Sequence, residues 1–411
     1  MKKRILSLLA CGALAASAVA GFTACGFDGI TVWGSAAQQD TLKEMVKEFK
    51  KANPDVKCDI RVGIGEEDMA YSNVGKDVSA AADVYAYSND QLINLLRVGG
   101  LAKVGGQLLE TVKADNSEDS VKSCAIGWGT AQEAVYGYPF ASDNGYFMYY
   151  NKSVLGENDV KSLETIISKC ETAGKKIAWA LDVPWYVAGF FFTFGGEYGV
   201  EHDANYNESN LSINFNEPEV GIKASKAMAM LANSSAYAGK GTDDSTIITG
   251  LKTGTTAVAV SGTWNAKRIQ DDLGENYGVC ELPTVTIDGD TQHLSSFKGY
   301  KLFGVNPTSK YLVESHRLAA FLSNGEMQQL RFEKHLIGPT NVAASNIDAI
   351  KNDPTFAALN AQNAHAKEQT TVPSNFWEPL KAYGLYIIDK IINDTTYQTY
   401  LDNMVTGILK K

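Results

Sequence analysis

The side chains best suited to acid–base or metal chemistry are few in this chain and widely spaced. None of the five histidines forms an HExxH helix or a spacing typical of a catalytic triad or a metal site: His202, His293, His316, His335 and His365. The segment 250–256 (GLKTGTT) has the glycines of a phosphate-binding loop without its G-K-[ST] order. It is more typical of a helix end before a strand. These patterns predict no metal, no cofactor and no catalytic residues.

Cys25 is the one cysteine with a clear chemical context. The chain opens with the basic head MKKR, an apolar run covers residues 5–20, and small residues precede the cysteine. These are the parts of a secretory signal, and the apolar run is shorter than the roughly 20 residues that span a membrane. The cleavage region resembles a bacterial lipobox, with Phe22 where Leu is usual. We predict a lipoprotein signal peptide over 1–24 and an acylated Cys25, with an ordinary signal peptide as the alternative.

The remaining cysteines do not indicate a disulfide framework. Cys58, Cys124, Cys170 and Cys280 are far apart and contain no C-x-x-C pair. An extracellular location permits disulfides. We nevertheless expect four buried free thiols.

The charge balance excludes two classes of partner. The signal segment holds three basic residues and no acidic one, so the rest of the chain has 34 basic against 47 acidic residues, a net charge of −13. Nucleic-acid binding needs clustered Lys and Arg, and binding directly to an anionic membrane needs a basic face. We expect neither.

Strand and helix patterns alternate from the start of the mature chain. Apolar residues at helical spacing indicate helices, and β-branched or aromatic runs indicate strands. The first five elements are expected as strand 30–33, a helix from about 39, strand 56–62, strand 82–87 and helix 90–97. Further strands are expected at 134–140, 146–152, 256–260, 277–282 and 301–305, with helices at 161–173, 184–194, 218–233, 243–252, 310–323, 325–335 and 376–410. The order of the first five elements predicts an α/β fold with βαβ units and a mainly parallel sheet.

Several segments, in order along the chain, resemble one family. They include ITVWG, AADVYAYSNDQLINLLRVGGLAKV, AVYGYPFASDNGYFMYYNKSVL, GLKTGTTAVAVSGTW, NYGVCELP and NFWEPL. Together they are similar to the maltose-binding-protein family of extracellular solute-binding proteins that serve bacterial ABC importers. The resemblance covers essentially the whole mature chain.

That resemblance implies a two-lobed periplasmic-binding-protein-like fold with a hinge and an interlobe ligand cleft. It divides the chain into a tether at 25–29, an N-terminal lobe of 30–140 plus 298–343, and a C-terminal lobe of 141–297 plus 344–411. The chain would cross between lobes near 138–142, 296–299 and 341–345. Ligand closure would be a hinge motion.

The resemblance also implies a set of aromatic ligand contacts. Sugars expose flat faces of C–H groups edged by hydroxyls, so a sugar site needs aromatic platforms and a polar rim. Family platform positions hold Tyr87, Trp185, Trp264 and Trp377. Each of these rings could instead pack in the hydrophobic core. We expect rings from both lobes to enclose a glycan.

Polar ligand contacts are implied at fewer exact positions. Asp90 matches an acidic family position after the third strand, and Glu66 and Glu67 match a carboxylate pair, with a solvated loop as the alternative. At the first crossing, the resemblance leaves the choice open between Asp143 and Asn144. Lys381, four residues beyond Trp377, matches a position where an arginine can occur.

The function implied is capture of an oligosaccharide, first of all a maltodextrin, for delivery to ABC permease subunits. The protein would be an extracytoplasmic monomer that touches the cell membrane only through its lipid anchor. Alternatives are the same fold binding another oligosaccharide, a polyamine or a peptide, and a secreted glycosidase. A glycosidase needs two carboxylates across the scissile bond, and no segment resembles such a motif.

Overall fold

A computed structural model describes residues 27–410. The predicted signal peptide and Cys25 lie outside these residues. The strands are β1 (Gly29–Gly34), β2 (Asp59–Ile64), β3 (Val84–Ser88), β4 (Ala125–Ile126), β5 (Ala134–Val135), β6 (Tyr138–Ala141), β7 (Phe147–Asn151), β8 (Lys176–Ala178), β9 (Tyr198–His202), β10 (Glu208–Ile213), β11 (Thr256–Ser261), β12 (Tyr277–Cys280), β13 (Thr284–Ile287), β14 (Asp290–His293), β15 (Phe297–Lys298), β16 (Lys301–Val305) and β17 (Lys367–Glu368).

Helices make up most of the remaining regular structure. They are α1 (Gln39–Ala52), α2 (Ala70–Val74), α3 (Leu92–Arg97), α4 (Gly106–Asp115), α5 (Glu118–Lys122), α6 (Leu163–Ala173), α7 (Pro184–Thr193), α8 (Pro218–Asn233), α9 (Asp244–Thr253), α10 (Ala266–Leu273), α11 (Leu312–Leu322), α12 (Gly325–His335), α13 (Val342–Ser345), α14 (Asp348–Lys351), α15 (Pro354–Asn363), α16 (Trp377–Ile388) and α17 (Tyr397–Leu409). In the part of the chain described here, no helix is both long and apolar enough to cross a bilayer.

The first lobe is built on a five-stranded sheet in the order β2-β1-β3-β16-β6. β1 pairs in parallel with β2 and β3, whereas β16 runs antiparallel to both of its neighbours. The parallel pairing expected of the first three strands is confirmed, but the sheet as a whole is mixed, not mainly parallel. Every residue of β3 is buried, because this central strand is enclosed by its neighbours and by packed helices. On α1, apolar residues at helical spacing face the same core, and Phe49 meets Phe321 of α11 edge to face at 5.5 Å.

The second lobe is built on a four-stranded sheet in the order β12-β7-β11-β8. Side chains of β7 alternate between two cores: Met148 and Tyr150 lie in one, Phe147 and Tyr149 in the other. Helices α7, α8 and α16 supply the first core, and α9, α10 and α15 supply the second. Both faces of this sheet are therefore covered.

The chain passes between the sheets in short segments. β6 of the first sheet is followed by β7 of the second, and β15 is followed after two residues by β16 of the first sheet. A third passage follows α12: Ile337 packs in the first-lobe core, and Ile347 packs against a second-lobe core. The exact lobe boundaries given above stay a prediction.

Most sequence-based element predictions are confirmed, and the differences have local causes. The bounds of α8, α12 and β16 coincide with those expected, and the segment 250–256 is indeed a helix end before a strand. The continuous helix expected over 376–410 is wrong. It breaks between α16 and α17, where Lys390 adopts a left-handed conformation with φ of 57°. The sequence pattern does not predict the hairpins β9–β10 and β13–β14, because many of their residues are polar and exposed.

The N-terminal segment and the cysteines require two corrections. Gly29 already belongs to β1, and Phe27 lies under the Arg61 guanidinium at 4.0 Å, so the predicted tether 25–29 is partly folded. The four described cysteines are free thiols, as predicted. Only Cys124 and Cys170 are fully buried; Cys58 and Cys280 are half-buried because they lie at the margins of their cores.

Candidate ligand-binding cleft

A cavity of about 740 Å³ lies between the two lobes. This volume is within the range of small-molecule sites, roughly 300–1,000 Å³. The first lobe contributes mainly polar residues, among them Ser35, Gln38, Glu66, Glu67, Asp68, Asp90, Gln91, Lys301 and His335. The second lobe contributes aromatic and polar residues, among them Pro184, Trp185, Tyr186, Asp244, Trp264, Asn265, Gln369 and Trp377.

The three predicted tryptophans line this one cavity. Trp185 lies at the start of α7, Trp264 in the turn after β11, and Trp377 at the start of α16. The ring centroids of Trp185 and Trp264 are 6.0 Å apart. Phe297 is buried behind this wall and packs against two of the tryptophans. Its ring centroid lies 6.2 Å from those of both Trp185 and Trp377. All three indoles are half-buried, so each packs on the protein and leaves part of its surface toward the cavity.

The prediction that aromatic rings from both lobes line the cavity is wrong. Among the described residues that line the cavity, every Trp and Tyr belongs to the second lobe. The only first-lobe platform predicted was Tyr87, and it is 0% exposed. Its hydroxyl donates to the Tyr136 carbonyl at 3.3 Å, inside the first-lobe core. Tyr87 is core because β3 is the central strand of its sheet.

Trp264 is held from two sides. Its Nε1 donates to Asp244 Oδ1 at 3.3 Å, and Asn265 Nδ2 donates to the same oxygen at 2.6 Å. On the other side the indole lies directly over Gly262, where an added Cβ would come within 1.9 Å of the ring. Gly262 therefore serves a close ring-to-backbone approach at the cavity wall.

Trp185 is positioned by a buried amide. Its Nε1 donates to Gln369 Oε1 at 2.8 Å, and Asn144 Nδ2 donates to the same oxygen at 3.2 Å. Gln369 follows β17 and is 5% exposed. Asn89, directly after β3, donates through Nδ2 to the Gln369 carbonyl at 2.7 Å. Gln369 thus connects the aromatic wall, through its side chain, to the first lobe, through its backbone carbonyl.

Lys301 forms the charged centre of the first-lobe side. Its Nζ lies 3.4 Å from Asp143 Oδ2, 3.9 Å from Glu67 Oε2 and 5.9 Å from the Trp264 ring centroid. Burial disfavours the ammonium, but the Asp143 and Glu67 carboxylates outweigh burial and raise the pKa of Lys301 above its ordinary value. Burial also raises the pKa of Glu67, although Lys301 opposes that shift. The ion pairs keep Lys301 cationic at the cavity edge.

The structure separates the two candidates at the first crossing. Asn144 lines the cavity, whereas Asp143 is 0% exposed and lies behind the lining. Asp143 accepts a hydrogen bond from Thr263 Oγ1 at 3.2 Å and pairs with Lys301. Asp143 therefore orients two neighbours of the cavity and does not face it.

The other acidic candidates line the cavity. Glu66 Oε1 accepts from the Ala36 backbone N–H at 2.9 Å. Asp90 is half-buried, and Gln91 Nε2 donates to its Oδ2 at 2.8 Å. Burial raises the pKa of Asp90 to about 6 despite that hydrogen bond.

Lys381 is another predicted ligand contact that lies away from the cavity. It is exposed and lies outside the residues that line the cavity. The physical reason is direction: α16 begins at the cavity with Trp377 and runs away from it, so a residue one turn later is removed from the site.

Sequence reasoning missed several cavity residues. Lys301, Gln369, Asp244, Asn265 and His335 all line it. His335 ends α12, and its Nε2 lies 2.8 Å from Thr41 Oγ1. Apart from Asn265, no local pattern identifies these residues, because their positions at the cavity depend on contacts between distant segments. The SGTWN segment offered one signal, since Asn265 directly follows Trp264.

Comparison with known proteins agrees with this architecture. The sequence model of the bacterial extracellular solute-binding proteins matches residues 44–358. The chain is 24% identical over 417 aligned positions to a maltooligosaccharide ABC transporter solute-binding lipoprotein of Streptococcus pneumoniae serotype 4, covering 98% of this chain and 93% of that protein.

Solved structures show the same two-lobed arrangement. One, determined with acarbose, superposes with a TM-score of 0.82 and 29% identity, covering 93% of this chain and 99% of that one. A maltodextrin-binding protein from L. casei BL23, solved without ligand, superposes with a TM-score of 0.76 and 23% identity, covering 94% and 100%. The predicted two-lobed α/β fold with an interlobe cleft is thereby confirmed.

The family match covers most of the chain, and that family consists of solute-binding proteins, not enzymes. Its members work outside the cytoplasm. Together with the two lobes and the cavity between them, the match shows that this chain belongs to the bacterial extracellular solute-binding protein family.

Proposed function

We propose that this chain captures a malto-oligosaccharide in its interlobe cavity and delivers it to the permease of an ABC importer. The observation that carries the proposal is the row of three half-buried tryptophans on one wall of that cavity. Support also comes from the relatives, one named for maltooligosaccharide and one solved with acarbose.

The chemistry of the two walls is complementary to a glucan. Indole faces can pack on the C–H faces of successive sugar rings, and this contact removes apolar surface from water. The opposite wall offers charged and amide groups for hydroxyls, including Glu66, Asp90, Gln91 and Lys301. A ligand touching both walls stabilises the closed arrangement of the lobes, because only that arrangement supplies both sets of contacts.

A polyamine is the second candidate, since acidic side chains surround the same cavity. Glu66, Glu67, Asp68, Asp90 and Asp244 all line it, and a polyamine site needs several carboxylates. Lys301 weighs against this reading because its ammonium neutralises part of that charge and would repel a cationic ligand.

Calorimetric titration against a ligand panel separates these candidates. The panel contains maltotriose, maltotetraose, an oligosaccharide without α-glucose units, and spermidine. We expect saturable 1:1 binding of the maltodextrins and no heat from spermidine. Binding of spermidine alone would replace the glucan assignment.

Alanine variants of the three cavity tryptophans test the carrying observation. Trp185→Ala, Trp264→Ala and Trp377→Ala should each weaken glucan binding by about 2 kcal/mol, roughly thirtyfold, through the lost apolar contact. Trp128→Ala is the matched control, because Trp128 is also half-buried but packs in the first lobe away from the cavity. Equal losses in all four variants would contradict the assignment.

We propose further that the protein returns its glycan unchanged. Chromatography of maltotetraose after long incubation with the protein should recover only maltotetraose. Appearance of shorter glucans would favour the glycosidase alternative.

The remaining part of the proposal concerns location and assembly. The chain would act as a monomer held to the cell membrane through acylated Cys25, a residue outside the described part of the chain. In cells, Cys25→Ala should release the protein into the medium. Unchanged membrane retention would argue against the lipid anchor.

A further inference from the structure

Three potential metal ligands meet on the second lobe, outside the residues that line the cavity. His293 Nε2 lies 3.9 Å from one carboxylate oxygen of Glu281, and His365 Nε2 lies 3.7 Å from the other. The two imidazole rings are stacked, with centroids 3.9 Å apart and 5° between their planes. One ligand atom from each residue lies within 4.8 Å of the other two.

We propose that Glu281, His293 and His365 form a binding site for a divalent transition metal ion of the zinc type. Two imidazoles and one carboxylate are a ligand set that suits Zn²⁺, with a water completing a tetrahedral shell. Ligand atoms at tetrahedral zinc lie roughly 3.4 Å apart, given bonds of about 2.1 Å. The ligand atoms of the cluster lie within 4.8 Å of one another, so they must move closer to reach that value. Because the two rings are parallel, one imidazole must also rotate for both histidines to reach one ion. Ca²⁺ and Mg²⁺ bind oxygen ligands, usually several carboxylates or carbonyls. This cluster offers one carboxylate and two imidazoles, so its ligand set does not fit either ion.

The backbone around the three ligands is fixed by one buried amide. Gln362 is 1% exposed, and its Oε1 accepts from the Leu282 backbone N–H at 2.7 Å. Its Nε2 donates to the Leu294 carbonyl and to Ser296 Oγ, both at 3.2 Å. Leu282 adjoins Glu281 and Leu294 adjoins His293, so Gln362 joins the segments that carry two of the ligands.

The third ligand is tied to the same framework. Ser295 Oγ donates to the His365 carbonyl at 2.7 Å, and the His365 backbone N–H donates to the Gln362 carbonyl at 2.9 Å. The fold therefore brings the three side chains together through contacts that need no metal. Such preorganisation lowers the cost of ordering the ligands when an ion binds.

The surroundings leave room for an ion to enter. Glu281 and His293 are half-buried, and His365 is exposed. The cluster lies beside the β15–β17 pair, whose strand β15 leads directly to β16 of the first lobe. The sequence predicted no metal site, because the three residues are far apart along the chain and share no motif.

Chelator-competition titration with ZnCl₂ tests this site without using the glycan. The protein is the untagged chain beginning at Gly26, which lacks the Cys25 thiol as a possible ligand. We expect one Zn²⁺ per chain and a raised thermal midpoint, because the ion binds the folded state. His293→Ala, His365→Ala and Glu281→Gln should each weaken Zn²⁺ binding by roughly tenfold or more.

Two controls make the result decisive. His202→Ala should bind Zn²⁺ like the wild type, since His202 lies at the end of β9, outside the cluster. Circular dichroism of each variant should match the wild type. If an alanine variant is unfolded, Glu281→Gln remains as the test, because it keeps the size and shape of the side chain while removing its charge. Failure of the wild type to bind Zn²⁺, or equal binding by the three ligand variants, would overturn the proposal.

Discussion

Each cavity tryptophan is fixed by a different neighbour. Gln369 accepts the indole N–H of Trp185, Asp244 accepts that of Trp264, and Phe297 packs behind both Trp185 and Trp377. Fixed rings lose little conformational freedom on binding, so more of the contact free energy remains for ligand affinity. The same residues would fix the spacing between bound sugar rings.

The raised pKa of Asp90, about 6, has a consequence for stability. Between pH of about 4 and 6 the folded state holds a proton that the unfolded state has released, so this group makes stability fall as pH rises through that window. Above about pH 6, the charged Asp90 carboxylate lowers the free energy of unfolding by at most about 3 kcal/mol. Asp90→Asn should remove this cost and can still accept the Gln91 hydrogen bond.

Urea unfolding of wild type and Asp90→Asn at several pH values measures this effect. The variant should be more stable at pH 7, and the difference should shrink toward zero near pH 4. A difference that is constant with pH would show that Asp90 does not titrate in this window.

At single positions, the sequence could predict residues carried by local signals. Trp264 and Trp377 stand where a turn meets a helix in a recognisable segment, and both line the cavity. Tyr87 has a similar local setting but is core, because its burial depends on strands β1 and β16 that lie far away in sequence. Gln369 could not be predicted, since its role arises from partners in both lobes.

At the level of elements, each tryptophan of the aromatic wall lies at the start of a helix or helical turn. α7 begins with Pro184 and Trp185, α16 begins with Trp377, and the turn after β11 carries Trp264. Pro184 suits the first helical position because its missing N–H would have no partner there. The wall therefore depends on where helices begin, which local sequence specifies well.

Gly262 offers a test of this element-level arrangement. Gly262→Ala places a Cβ within 1.9 Å of the Trp264 ring, so the indole must move. We expect a stability loss of about 1–3 kcal/mol from overpacking and a weaker glucan affinity measured by calorimetry. Gly105→Ala is the matched control, because a Cβ there meets open space. Normal affinity in Gly262→Ala would mean that the position of Trp264 is unimportant.

For the whole molecule, one hydrogen bond of Asn89 joins the lobes. Asn89 Nδ2, in the first lobe, donates to the Gln369 carbonyl of the second lobe at 2.7 Å. Two hydrogen bonds within the first lobe hold Asn89 in place: its backbone N–H donates to the Tyr300 carbonyl, and its Oδ1 accepts from the Tyr300 N–H, both at 3.0 Å. A pivot at this point would let the polar first-lobe wall approach the aromatic second-lobe wall.

The alternating elements predicted an α/β fold. The pairing of β6 and β16 in one sheet could not be predicted from local sequence, and knowing it requires the folded chain or a family resemblance.

The structure of the protein bound to maltotriose tests the central claim most directly. We predict glucose rings packed within about 4 Å of the indoles of Trp185, Trp264 and Trp377. Hydroxyls should meet polar groups of the opposite lobe, including Lys301. A glucan bound elsewhere, or bound in the cavity without touching these indoles, would contradict the account.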